Sequence, residues 1–262
     1  MIDIHSHVLP GLDDGAETME QTIAMLEIAR AAGTSAIVAT PHANTQYRFD
    51  PARVDDLIAQ AQARIGNGIT LHRGCDFHLM FDNVNDALQH PARYTINGRA
   101  YLLVELSDLV IFPNTGDLFD RLEQHGMRII VTHPERNPLL QQRIELIAEW
   151  VSKGRYMQLT AQSLAGRFGP RARSFARLLL DRGLVHFIAS DAHDTQSRPP
   201  RLDEACAWVR DAYGESLAKR LFITHPAAAL EGDELDLAGF PPPKQAKETN
   251  KGLIARLFRK ES

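Results

Sequence analysis

The stretch Met1-Ile2-Asp3-Ile4-His5-Ser6-His7-Val8-Leu9-Pro10-Gly11-Leu12-Asp13-Asp14-Gly15 opens the chain and decides how the rest is read. Residues 1–4 have the composition of a short buried strand, which runs directly into His5 and His7. In an extended chain, residues i and i+2 point to the same side. The two imidazoles therefore face one point, as two ligands of a single metal ion do. The turn that follows adds Asp13 and Asp14. An isolated His-x-His fits a pair of polar side chains at a strand end equally well, so the remaining chain has to discriminate.

The same device recurs downstream. Residues 36–40 form an apolar strand that ends at Pro41-His42. The strand over 69–76 ends at Gly74-Cys75-Asp76, and the one over 101–104 ends at Glu105. Residues 128–132 lead to His133, 156–160 form a sixth strand, and 185–190 lead to Asp191-Ala192-His193. Helical stretches lie between them. Thr18 with Gln21 predicts a capping box, and Asp50-Pro51 predicts an N-cap followed by Pro at the first helical position. Further helices are predicted at 83–89, 117–125, 144–151, 172–181, 202–213 and 216–222.

Seven short apolar strands alternating with helices suit a parallel sheet covered on both faces. An α/β fold, either barrel or doubly wound, is implied. A doubly wound sheet gathers its site from a few strands at a switch point. Here six of the seven strands end at His, Asp or Glu. In a β/α barrel all strand C-termini converge on one face, so the pattern favours a closed or nearly closed barrel.

Converged in this way, His5, His7, His42, Asp76, Glu105, His133, Asp191 and His193 are metal-ligand candidates. Eight ligands exceed the needs of one ion and imply two or three. Mixed imidazole and carboxylate ligation suits Zn, Mn or Fe better than Mg or Ca. Arg136, in His133-Pro134-Glu135-Arg136, and Arg198, in Ser197-Arg198-Pro199-Pro200, fall in loops on the same face. Their planar forks suit phosphate oxygens. The histidines at 72, 78, 90, 125, 186 and 225 lack this strand-end placement and are assigned to the surface or to packing.

Bulk properties exclude several classes. The 262 residues carry a formal net charge of −4, which gives no global signal for nucleic acid. Cys75 and Cys206 are too few for a disulfide framework, and the cytoplasm is the expected compartment. The apolar run at 101–112 is interrupted by Glu105 and Asp108, so it is no membrane span, and no signal peptide fits the N-terminus.

Together these motifs resemble the PHP superfamily (polymerase and histidinol phosphatase). More closely, they resemble the bacterial manganese-dependent tyrosine-protein phosphatases of capsule and exopolysaccharide loci. The likeness covers about residues 1–230. It implies a distorted TIM-like (β/α)7 barrel, the PHP fold, holding three ions, with Mn2+ the expected cofactor. Carried over, His5, His7 and Asp191 would bind one ion, and Glu105 and His133 a second, with Asp76 bridging them. His42 and His193, with Asp14, would bind a third; the choice between Asp13 and Asp14 stays open. The bridging position is usually Glu in the family and is Asp76 here. Arg136 and Arg198 match the arginines that hold phosphate. The implied reaction is hydrolysis by a metal-activated hydroxide. The implied substrate is a phosphotyrosine protein, an autophosphorylating tyrosine kinase of polysaccharide synthesis. A cysteine-based route would need Arg six residues after the cysteine, where Phe81 and Ala212 stand.

Three other readings compete. A small phosphate ester such as histidinol phosphate could be the substrate. A phosphodiesterase is disfavoured by the acidic barrel. A non-catalytic metal-binding scaffold would be expected to lack a ligand. Residues 1–240 are read as the barrel and 241–262 as a Pro-led linker with a basic amphipathic tail. Residues 244–262 carry +4, and Leu253, Ile254, Leu257 and Phe258 share a helical face. Weak contact with anionic lipid is one role for such a tail; a plain disordered terminus is the other.

Overall fold

A computed structural model describes residues 1–237. The tail, including the apolar face at 253–258, lies outside the described residues. The strands are β1 (Ile2–Ser6), β2 (Ala36–Ala39), β3 (His42–Ala43), β4 (Thr70–Arg73), β5 (Asp76–His78), β6 (Tyr101–Glu105), β7 (Arg128–Thr132), β8 (Tyr156–Thr160) and β9 (Phe187–Ala189). All strand pairing is parallel, in the orders β1-β2-β4 and β3-β5-β6-β7-β8-β9.

Nine strands occupy seven barrel positions. Pro41 cannot donate to a ladder, and it separates β2 from β3. Gly74 and Cys75 separate β4 from β5 opposite that break. Backbone bonds from Gly74 N to Ala39 O (2.9 Å) and from Asp76 N to Pro41 O (3.2 Å) carry the pairing across the interruption. The last seam closes where Asp191 N donates to His5 O and His7 N donates to Ala192 O, both at 2.8 Å. The result is the closed barrel that the strand ends predict, in the distorted (β/α)7 form that the family resemblance implies.

Alternation along the strands separates two apolar layers. Ile4, Val38, Tyr101, Leu103, Ile130, Phe187 and Ala189 fill the barrel interior. Ile37, Leu102, Val104, Ile129 and Val131 face outward onto the helices. Among these, α1 (Met19–Ala31) and α2 (Pro51–Ile65) begin as the sequence requires. Thr18 accepts from Gln21 N at 3.2 Å, and Asp50 from Ala52 N at 3.1 Å. The capping box is displaced by one residue, because the Gln21 side chain accepts from Glu17 N instead of Thr18 N.

The remaining helices are α3 (Phe81–Gln89), α4 (Thr115–Gln124), α5 (Ile144–Ser152), α6 (Ala161–Ala165), α7 (Gly169–Asp181), α8 (Asp203–Tyr213), α9 (Glu215–Lys219) and α10 (His225–Glu231). The sequence reading misses α6 and α10. The first is only five residues long, too short to show a period. The second follows a π-turn at Arg220–Thr224 that breaks the helical phase. Ala229 and Leu230 of α10 join the interior layer, together with Leu235 beyond its end. Among the described residues, no helix is long and apolar enough to cross a membrane.

Candidate metal centre

The strand alternation that fills the barrel also aims its ligands. In β6, Tyr101 and Leu103 point into the core and Glu105 is next on that face. His42 and Asp76 stand directly opposite each other in the β3–β5 register. The β1–β2 register slips between Asp3 and Ser6, at His5. Simple alternation would turn His133 outward after β7. Instead His133 has φ +32°, and Asp191 after β9 has φ +51°. Left-handed backbone at non-glycine residues costs about 1–3 kcal/mol each and persists where surrounding structure enforces it.

The imidazoles are oriented from behind. His7 Nδ1–H donates to Asp13 Oδ2 at 2.6 Å, and Asp13 also accepts from His42 N at 3.1 Å and Gly15 N at 3.0 Å. His5 Nδ1–H donates to Gln158 Oε1 at 2.9 Å, and His193 Nδ1–H to the Asp191 carbonyl at 3.0 Å. Partners of this kind fix the tautomer and leave Nε2 as a lone pair for a metal. The Nε2 atoms of His5 and His7 face each other at 3.3 Å, with Asp191 Oδ1 at 3.5 and 3.4 Å. Nitrogens held this close to each other and to a carboxylate oxygen are placed to share one cation.

Three groups of donor atoms, each within 4.8 Å of one another, cover the face: His5, His7 and Asp76; His42, Asp76, His78 and Glu105; and His7, Asp14, His42 and His193. Asp76 Oδ2 lies 3.0 Å from His42 Nδ1 and 3.7 Å from His5 Nε2, so the shorter carboxylate does reach both neighbourhoods. Asp14 Oδ1 lies 3.4 Å from His42 Nε2 and 3.5 Å from His193 Nε2. Asp14 thus faces the cluster, while Asp13 stands behind it. His133 Nε2 is 3.6 Å from Glu105 Oε1 but lies outside the three groups.

The assignment of His78 to surface or packing is corrected. Its Nε2 lies 2.5 Å from Glu105 Oε2, and it shares a group with His42 and Asp76. The i+2 spacing from Asp76 was the available signal, the same spacing that marks His5 and His7. Gln158 was missed as an orienting residue, since it belongs to no linear motif; Asp13 was marked in the turn after β1, but as a possible ligand and not as the partner behind His7. Of residues 77–81, which follow Asp76, Phe77 is fully buried against Tyr94, whereas Phe81 opens α3 and is exposed.

The donor set fits metal ions. Asp76 Oδ1 and Oδ2, Glu105 Oε2, His42 Nδ1 and His78 Nε2 are buried and make no hydrogen bond. Unsatisfied buried polar atoms are costly, and coordination would satisfy all five. Electrostatics agree. Burial opposes charge on His7, yet Asp13 and Asp191 outweigh it and lift the imidazole to about 9. Against the burial of His42, Asp14 and Asp76 lift that ring to about 11. The carboxylates thus create a strong demand for positive charge.

The two arginines sit at the rim. Arg198 Nη2 donates to Asp191 Oδ2 at 2.5 Å, and Arg136 Nη1 donates to the same oxygen. Their guanidinium carbons lie 5.7 and 4.3 Å from the ring centre of Phe168, which the sequence reading did not mark. Glu135 of the Arg136 loop is buried and accepts from Thr160 N at 2.9 Å and Ser163 Oγ at 2.6 Å, which locks the loop to β8 and α6.

A parallel barrel whose C-terminal face gathers imidazoles and carboxylates able to hold metal ions, edged by paired arginines, has the features of metal-dependent barrel proteins. Within that class, residues 1–231 match the family described as "Capsular polysaccharide synthesis, CpsB/CapC", and the chain belongs to it. It is 34% identical over 221 residues to the tyrosine-protein phosphatase YwqE of Bacillus subtilis, covering 83% of this chain and 87% of that protein. It is 26% identical over 235 residues to the tyrosine-protein phosphatase CpsB of Streptococcus pneumoniae, covering 86% and 96%. A solved structure from the work on YwqE and CpsB, described as unique metal-dependent tyrosine phosphatases, superposes with a TM-score of 0.85 at 30% identity, covering 93% of this chain and 98% of that one.

Proposed function

We propose that this chain is a metal-dependent tyrosine-protein phosphatase. The carrying observation is the pairing of two features. Arg136 and Arg198 converge on one oxygen of Asp191, and the other Asp191 oxygen faces the imidazoles of His5 and His7. The relatives at 26–34% identity, named tyrosine-protein phosphatases, support the same reading.

His5, His7 and Asp191 would hold one ion and Glu105 and His133 a second, with Asp76 shared between them. Asp14, His42 and His193 would hold the third, and His78 joins on the Glu105 side. Mn2+ is the proposed metal, and Fe or Zn would also suit these nitrogen and oxygen donors. Bound ions would supply an acidified water and neutralise the phosphate charge.

The protein's own groups do the rest. Both guanidiniums donate to Asp191 at the rim, and their other N–H groups would be the donors to phosphoryl oxygens, charge-assisted bonds that strengthen as charge develops. The Phe168 ring lies beside both guanidiniums. Neither cysteine suits a thiol nucleophile: Cys75 is fully buried, and burial raises the thiols of both Cys75 and Cys206 above the ordinary range. The proposed substrate is an autophosphorylating tyrosine kinase of polysaccharide synthesis, met in the cytoplasm.

The test compares kcat/KM for a phosphotyrosine peptide, a phosphoserine peptide and histidinol phosphate with Mn2+ supplied. A clear preference for the phosphotyrosine peptide, abolished by a chelator, is expected. Preference for histidinol phosphate would move the protein to small-molecule hydrolysis. Bound metal with no turnover of any ester would make it a scaffold.

A further inference from the structure

Seven large hydrophobic side chains are exposed among the described residues, and four of them border the catalytic face. Phe81 (81% exposed) lies three residues beyond β5; Leu109 (91%), Val110 (44%) and Phe112 (56%) lie on the loop that leaves β6 at Glu105. In a parallel barrel, chain leaving a strand's C-terminus stands on the site face. Several large apolar side chains exposed on one rim are a feature of interaction sites.

The loop is built rather than frayed. Asn137 Nδ2 donates to the carbonyls of Leu106 (3.2 Å) and Ser107 (3.1 Å), Ser107 Oγ accepts from Leu109 N (3.1 Å), and Phe112 O accepts from Thr115 N (3.0 Å). Ile111 is buried in the outer apolar layer. Asn137 follows Arg136 directly, so the arginine and the loop are tied to one another. The Asp108 carboxyl is raised by its partial burial and drawn back down by the Arg136 charge, in keeping with that proximity.

We propose that Leu109, Val110 and Phe112, with Phe81, form a docking surface for apolar side chains that flank the phosphotyrosine of a protein substrate. The proposal rests on the phosphatase reading above. The occupant follows from position. A phosphotyrosine reaches the ions only through the C-terminal face, and its side chain is short. The peptide on either side must therefore lie against the rim, and this rim segment is apolar and anchored to the phosphate-holding loop. Burial of such side chains, rather than charge pairing, would select the peptide.

The test uses the full chain and the double variant Leu109→Ser/Phe112→Ser. The ligands are a phosphotyrosine peptide with Leu and Phe flanks, one with Gly and Ser flanks, and p-nitrophenyl phosphate. The variant should raise KM for the apolar-flanked peptide about tenfold with kcat unchanged. Its kinetics on p-nitrophenyl phosphate should match those of the unaltered chain, as should its melting temperature. Fluorescence polarisation should show the same loss of affinity for the apolar-flanked peptide, independently of turnover. Equal binding of both peptides by the unaltered chain would overturn the surface. So would KM changes shared by p-nitrophenyl phosphate, which would mean only that the loop supports Arg136. A change in oligomeric state without a change in peptide affinity would assign the patch to a second copy and also overturn it. If no ester is turned over, the phosphatase reading fails, while polarisation still decides the surface.

Discussion

At the scale of single residues, Asp76 is the sharpest case. It is fully buried, both oxygens lack hydrogen bonds, and it belongs to two of the three donor groups. Asp76→Asn should therefore remove at least one ion of the expected two to three and lower activity by about a hundredfold or more, as losses around metal sites commonly do. Asp108→Asn, outside the cluster, should leave metal content unchanged. Elemental analysis of the two purified variants decides it, and equal metal content would reduce Asp76 to a strand-terminal polar group. The eight candidate ligand positions could be read because each stands at or beside a strand end, and six of them (His5, His7, His42, Asp76, Glu105 and His193) fall within the donor groups, whereas His133 and Asp191 do not. His78 obeys the same i+2 rule but lies two residues beyond the expected strand end at Asp76, and was assigned to surface or packing. Gln158 and Phe168 were illegible for a different reason. Their partners, His5 and the two arginines, are brought to them by barrel closure, which leaves no local pattern in the chain.

At the scale of elements, the turn after β1 does more than connect. Residues 11–15 carry Asp13 behind His7 and Asp14 in front of His42 and His193. That packing depends on Gly15. A Cβ there would lie 2.1 Å from His7 O and 2.5 Å from His7 Cβ, inside any allowed contact. Backbone cannot yield as a flexible side chain would, so Gly15→Ala must displace either His7 or the Asp13–Asp14 turn. The barrel strands are untouched, and the fold should survive. The expected outcome is a native far-ultraviolet circular dichroism spectrum with bound metal reduced by about one ion or more, read by elemental analysis. Full metal content would show that the turn relaxes freely. The fold at this scale was largely legible, since strand identity follows from short apolar runs. The interruptions at Pro41 and Gly74 were not, because the pairing they break lies between residues far apart in sequence.

At the scale of the molecule, charge is divided. Residues 244–262 carry +4 and residues 1–243 carry −8. A chain ending at Pro243 should keep its full rate on soluble peptides, and should lose any binding to anionic vesicles that the full chain shows at low salt. Flotation with phosphatidylserine vesicles checks this; if the full chain does not bind, the tail has no membrane role.

Stability of the whole domain should also carry a pH signature that originates far from the metals. His186, just before β9, is buried, and its Nδ1 accepts from Met157 N at 3.2 Å. A protonated imidazole would put a donor where that acceptor is needed. Burial, then the neighbouring His225, hold His186 down at about 3, against an ordinary 6.5. Between those values the unfolded chain binds a proton that the folded chain refuses, so stability from this group is complete above pH 6.5 and falls as pH drops towards 3. Each unit corresponds to about 1.4 kcal/mol, so the loss at pH 5 is on the order of 2 kcal/mol. His186→Asn keeps a side-chain acceptor for Met157 N and removes the titration. Urea unfolding at pH 7 and pH 5, with metal conditions held identical, should show the unaltered chain losing about 2 kcal/mol more than the variant. Parallel losses would mean that His186 takes up its proton in the folded barrel, and that the Met157 bond yields when it does.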